Sequence, residues 1–276
     1  MHGAIPPHRF FPYLTWPEID AMPHKEEAVI VQPMGAIEQH GPHLPLAVDS
    51  AICIEVLGRA FEQLDPHVLA YCLPPLYYGK SNEHCHFPGT ITLSAQTLLM
   101  VLRDIATSLY QAGFRKLVLV NAHGGQPQVQ EIAARDLHQT YPELMVFPLF
   151  IWAVPNCAGE LLSAKELELG IHAGDAETSL MLSIMPDQVR QHLAQAEFPQ
   201  DLPKESWLTM EGALPFAWVT RDLSASGVLG DPTMATVEKG DKIVQSLVAG
   251  WTTVLQDIYR FRQPQAESNL NRAAPH

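Results

Sequence analysis

The chain has 276 residues, 47% hydrophobic and 17% charged, which suits a sizeable core and excludes wholesale disorder. Its 17 Lys and Arg against 30 Asp and Glu give a net charge of -13 with His neutral. That balance disfavours nucleic acid and anionic membrane as main partners. Thirteen His stand out, because imidazole is the commonest metal ligand and the usual proton carrier near neutral pH.

Residues 1–25, rich in Pro and His, read as an irregular lead-in without the basic-then-apolar pattern of a secretory leader. Ala28–Met34 is a β-branched run that predicts a buried strand, and Ser50–Leu64 repeats apolar residues at helical spacing. Val68–Leu73 predicts a second strand. Ser94 caps a helical pattern that stops at Gly113. Lys116–Asn121 is the clearest central strand, Gln126–Tyr141 a helix and Leu144–Ile151 another strand. A helix is expected over Glu177–Met185, before Pro186. Residues 195–230 read as irregular excursions. Asp231-Pro232 predicts a helix start running towards Arg262, and the polar tail from Gln263 is expected to fray.

The longest apolar stretch, Leu144 to Val154, is interrupted by Pro148 and is far short of the roughly 20 residues of a membrane span. Cys53, Cys72, Cys85 and Cys157 form no CxxC pair and are too sparse for a disulfide scaffold, so buried free thiols in a cytoplasmic protein are expected. Strands alternate with helices throughout, which predicts one three-layer α/β/α domain over 1–276 with a largely parallel sheet. Ligands of such sheets bind beyond the carboxyl ends of the strands, in the loops after Met34 and Asn121.

Those loops carry acids and imidazoles. The first holds Glu38 and His40, two apart, so an extended segment directs both to one side; Asp49 follows where a helix begins. Asp49 reads either as a ligand or as that helix's N-cap. The second loop places His123 at a strand end, ahead of Gly124 and Gly125, which let a ligand approach the backbone. A third segment, His172 to Glu177, enters a helix. Glu38, His40, Asp49, His123 and Glu177 form an N/O set suited to a pair of divalent ions. His43, His84 and His86 read better as ordinary polar contacts. Other motifs fail: Gly79-Lys80-Ser81 lacks the earlier glycine of a phosphate loop, the nucleophile elbow is broken at Glu83, and no dinucleotide fingerprint follows a strand.

Taken together, GAIEQHGPHLPLAVDS, SNEHCHFPGTITLS, LVLVNAHGGQ, HAGDAETSLML and GVLGDPTMATVEKG resemble the creatininase (creatinine amidohydrolase) family, from about Gly35 to Gly240. The resemblance implies a binuclear centre of two divalent ions, Zn foremost with Mn or Fe as options. It also implies hydrolysis of a non-peptide C–N bond by a metal-bridged hydroxide, and a homo-oligomer, often a hexamer. It assigns metal ligation to Glu38, His40, Asp49 and His123, with Asp49 bridging. Where creatininases carry a ligating Glu two residues after the motif His, this chain has Gly125, and the role passes to Glu177, as ligand or base. His172 matches the His that moves protons at the scissile nitrogen, while Ser81 and Gly124 match positions bordering the substrate. Creatininases clamp their ring with Trp residues. The segment before His172 has none, while Trp152 matches the other wall. The expected activity is amide hydrolysis of a creatinine-type ring. A formamide deformylase acting on a formamidopyrimidine and a non-catalytic, metal-stabilised binding protein are the alternatives.

Overall fold

The computed structural model describes residues 2–200 and 206–264. Four strands, β1 (Val29–Met34), β2 (Ala70–Cys72), β3 (Lys116–Asn121) and β4 (Met145–Phe150), form one sheet in the order β2-β1-β3-β4. Every pairing is parallel. The helices are α1 (Trp16–Asp20), α2 (Val48–Gln63), α3 (Ala95–Gln111), α4 (Pro127–Thr140), α5 (Ala158–Leu161), α6 (Ala164–Leu169), α7 (Asp175–Ile184), α8 (Thr220–Leu223) and α9 (Val237–Arg260).

Alternation along the strands explains the layers. Val29 and Val31 of β1 and Val118 and Val120 of β3 join a core with α2, α7 and α9. Ile30, Leu117 and Leu119 point to the opposite face and pack with α3 and α4. Both faces are therefore covered, as a parallel sheet of continuous apolar strands requires. The register matters more for function. Met34, Asn121 and Phe150 lie side by side as the last residues of their strands, so the three following loops emerge together at one sheet edge.

Several expectations need correction. The lead-in contains the short helix α1, opened by a capping box between Thr15 and Glu18. Asp231-Pro232 starts only a three-residue turn, Pro232–Met234; the long helix begins at Val237 behind Thr236, whose hydroxyl accepts the Lys239 N–H. Ser94 caps α3 as expected, accepting from Thr97 N–H at 3.1 Å. All four cysteines are free, but Cys85 is exposed and Cys157 half-buried, so only Cys53 and Cys72 fit the expected burial. The frayed tail expected from Gln263 falls largely outside the described residues. No helix among the described residues is long and apolar enough to cross a membrane.

Candidate metal centre

Local structure aims each ligand candidate. After β3, Asn121 Oδ1 accepts the His123 N–H at 2.9 Å and Asn121 Nδ2 donates to the His123 carbonyl at 2.7 Å, fixing the backbone that carries the imidazole. Gln126 then ties three segments: its Nε2 donates to Asn121 Oδ1 (2.8 Å) and Gly35 O (3.3 Å), and its Oε1 accepts from Lys80 N–H (3.0 Å). Asp49 is the second residue of α2, and the N-cap position belongs to Ala47, so the capping reading of Asp49 is overturned. Its carboxylate instead faces the cluster. Glu177 occupies the first turn of α7, where the helix dipole favours an anion. Ala173, in the left-handed region at φ 53, turns its N–H onto Glu177 Oε2 at 2.6 Å.

These side chains converge. His123 Nδ1 lies 3.0 Å from Glu38 Oε2 and 3.5 Å from Asp49 Oδ2. His40 Nε2 lies 3.4 Å from Asp49 Oδ1, 3.7 Å from Glu38 Oε1 and 3.9 Å from Glu177 Oε1. The two oxygens of Asp49 thus face two different imidazoles. His172 Nδ1 is 3.8 Å from Glu38 Oε1, and its Nε2–H donates to the Gln39 carbonyl at 2.6 Å. Glu38, His40, Asp49 and His123 are each 2% exposed or less.

The electrostatics are strained. Burial pushes Glu38 upward, but His123, with His84 and His40, outweighs it and holds the carboxyl well below its usual range. Asp49 is pushed up by burial and by the Glu38 charge. Burial opposes charging of His40, yet Asp49, Glu177 and Glu38 raise it to about 9. Burial raises Glu177 to about 7. His172 is driven well below the usual imidazole range by burial and by its neighbours His84 and His40. Glu38 Oε2, His40 Nε2 and Asp49 Oδ2 are buried with no hydrogen-bond partner. Unpartnered buried polar atoms of this kind are costly, and a cation in place of protons on the imidazoles satisfies them. The donor set of imidazoles and carboxylates fits a divalent transition metal.

The cluster floors a cleft of about 710 Å³ lined by Trp152, Phe150, Phe216 and Trp218, among others. Gly124 and Trp152, which the family resemblance sets beside the substrate, both line this cleft. Ser81 is fully buried and stands behind Lys80 and Asn82, which do line the cleft.

Three contributors escaped the sequence reading. His84, expected to be an ordinary polar contact, stacks on His172 with ring centroids 4.2 Å apart and reaches within 3.7 Å of Glu38 Oε1. Glu83 places Oε1 3.1 Å from His123 Nε2. Trp218, from the segment read as an irregular excursion, supplies a second indole to the wall, its Nε1 donating to Met210 O at 3.0 Å. Of these, only the SNEH motif offered a signal, since it falls within a segment that resembles the family.

Comparison with known proteins gives the chain its relatives. The chain is 30% identical over 254 residues to the mycofactocin precursor peptide peptidase of Mycolicibacterium smegmatis, covering 91% of this chain and 93% of that one. It is also 30% identical over 258 residues to the creatinine amidohydrolase of Pseudomonas putida, covering 88% and 95%. A solved creatininase containing Mn superposes with a TM-score of 0.70 at 28% identity, covering 91% of this chain and 98% of that one. A mutant creatininase of Zn-Zn type gives 0.72 at 29% identity over the same shares. Residues 12–255 match the Creatininase family, described as creatinine amidohydrolase, and the chain belongs to that family of hydrolases.

Proposed function

We propose that this protein hydrolyses a C–N amide bond in a substrate larger than creatinine, such as a short peptide or peptide-like amide, using two divalent ions. The observation that carries this reading is the buried, unpartnered cluster at the floor of a cleft of about 710 Å³. That volume sits within the roughly 300–1,000 Å³ of sites that enclose drug-sized ligands, more room than a single five-membered ring requires. The name of the Mycolicibacterium smegmatis relative, a peptide peptidase, points the same way.

By their distances Glu38, Asp49 and His123 would hold one ion, and His40, Asp49 and Glu177 the other, with Asp49 shared. Bound there, Zn or Mn supplies Lewis-acid charge and lowers the pKa of water. The protein's own part begins with His172. Because its Nε2–H is committed to the Gln39 carbonyl, Nδ1 is the nitrogen that exchanges protons over the cluster. Burial keeps this ring neutral, so Nδ1 can take the proton released by the attacking water and deliver it to the departing nitrogen. Ala173 N–H holds Glu177 in place, and Trp152 and Trp218 offer flat walls for orienting the substrate.

The two indoles that line the cleft, Trp152 and Trp218, favour a second reading, in which a flat creatinine-type ring packs against one of them. An assay of the Zn- and Mn-loaded protein against short peptides, creatinine and an N-formylated pyrimidine separates the possibilities. Peptide cleavage is expected. Turnover of creatinine or the formyl compound without peptide cleavage overturns the size argument, and no turnover of any of them with metal bound overturns the proposed activity.

A further inference from the structure

We propose that Glu83 is a positioning residue for the metal-binding face of His123, and that Gly125 is the vacancy in the side-chain pattern that lets it act. The inference rests on the metal reading above. His123 presents Nδ1 to Glu38 and Asp49, at 3.0 and 3.5 Å. Its other nitrogen, Nε2, lies 2.9 Å from the Lys80 carbonyl and 3.1 Å from Glu83 Oε1. A carbonyl only accepts, so Nε2 carries the proton and the Nδ1 lone pair is directed at the acid cluster. A carboxylate against the outer N–H of a ligating imidazole locks the ring and raises its basicity.

Glu83 reaches this position from a turn, Asn82–His84, remote in sequence from the His123 loop. It arrives through the space left by Gly125: a Cβ there would collide with Glu83 Oε1 and come to 2.5 Å from His123 Nε2. Both glycines follow His123, but a Cβ on Gly124 would meet only Glu211 Oε1, at 3.7 Å. The requirement for glycine from close approach therefore falls on Gly125. The carboxylate is held on its far side as well. Lys80 Nζ lies 3.3 Å from Glu83 Oε2 and donates to the Gly125 carbonyl at 3.0 Å, while Thr220 Oγ1 donates to the Glu83 carbonyl at 3.0 Å. Oε1 has no hydrogen-bond partner, because the Nε2 proton points to the Lys80 carbonyl, so Glu83 acts on the imidazole through its charge at 3.1 Å. Glu38, Glu83 and His123 each offer a ligand atom within 4.8 Å of the others, but Oε1 stands on the Nε2 side of the ring, beside the Lys80 carbonyl, and in the proposal it supports the ligand rather than being one.

The test is a Zn²⁺ titration of the metal-stripped protein in competition with a chelator, with Co²⁺ absorption spectra of the reloaded forms. Glu83→Ala should weaken one of two bound ions by about 10–100-fold, the cost of losing a ligand's outer partner, and leave the other within about threefold. Glu83→Gln, whose amide oxygen can still face Nε2, should lose less and keep the visible Co²⁺ intensity of the wild type. Gly125→Ala should follow Glu83→Ala, because its methyl group displaces the carboxylate. Unchanged affinity for both ions in Glu83→Ala overturns the proposal. So does a Glu83→Gln protein with altered Co²⁺ intensity, which would make Glu83 a direct ligand. Should Glu83→Ala fail to fold, Glu83→Gln and Gly125→Ala decide the matter by the same readouts. A wild-type protein that takes up no Zn²⁺ overturns the metal reading itself, a result distinct from a wild type that binds two ions and a variant that binds them equally well.

Discussion

Two carboxylates give this centre its character: Asp49 faces His40 through Oδ1 and His123 through Oδ2, and Glu38 spans the same two imidazoles through Oε1 and Oε2. His123→Ala should remove one ion and reduce hydrolysis below detection, read by elemental analysis and turnover of the same preparation; full occupancy with full activity would sink the ligand assignment. The walls answer to a different measurement. Trp218→Ala removes an indole from the cleft without touching the cluster. It should raise KM by about tenfold with kcat within about twofold, the signature of binding shared by ground and transition states. A fall in kcat at constant KM would place Trp218 in the chemistry instead. Glu38, His40 and His123 were legible in the sequence because a fold prediction put their loops at strand ends. Glu83, His84 and Trp218 were not, since what makes them important is the neighbour that folding supplies. His84 had every local mark of an ordinary loop residue until His172, 88 positions away, stacked on it.

Among the elements, the helix termini carry much of the specification. Ser94 accepts the Thr97 N–H at the start of α3, and Ser94→Ala should cost about 1 kcal/mol in denaturant unfolding. The C-terminus of α9 is closed from the sheet: Lys116, 1% exposed at the start of β3, donates to the Ile258 carbonyl at 3.0 Å and the Tyr259 carbonyl at 2.6 Å. Burial lowers its pKa from 10.5 to about 8. The unfolded chain then binds more protons than the folded one between those values, so stability should rise as pH goes from 8 to 10.5 and the contribution should be absent below 8. Unfolding of Lys116→Met across the same range should lack this slope. Helix packing has its own sharp test. α7 and α9 approach so closely that a Cβ at Gly240 would strike the Ser179 carbonyl. Gly240→Ala, normally a gain in helix propensity, should instead cost about 1–3 kcal/mol through overpacking. β1 and β3 were readable because continuous apolar runs have few alternatives. The start of α9 departs from the local pattern, because Asp231-Pro232 satisfies the rules of a helix start, yet the helix begins at Val237 behind its N-cap Thr236.

For the molecule as a whole, the buried acid–imidazole cluster is a liability unless a cation offsets it. Glu38, Asp49 and Glu177 bring three carboxylates together in a largely buried space, with unpartnered atoms beside them. Stripping divalent ions with a chelator should lower the unfolding temperature, and restoring Zn²⁺ or Mn²⁺ should recover it. A free ion at a thousand times its Kd stabilises the folded state by about 4 kcal/mol. An unfolding temperature indifferent to chelator would contradict a metal-coupled core. The -13 net charge belongs in the same account, since a cation bound at the cleft floor would offset part of it.

The sequence by itself determined the parallel α/β class, most strand and helix positions, and the loops that hold Glu38, His40, Asp49, His123 and Glu177. Hydrophobic period and turn chemistry are local, and these loops follow from them. Only the tertiary structure decided which atoms face which. Parallel pairing set Met34, Asn121 and Phe150 side by side, and that register brought loops separated by tens of residues onto one edge. The Glu83 carboxylate beside His123, the His84–His172 stack and the two-indole wall all depend on that juxtaposition. Side-chain contacts between distant segments leave no period in the chain; they exist only once the sheet has fixed where each segment ends.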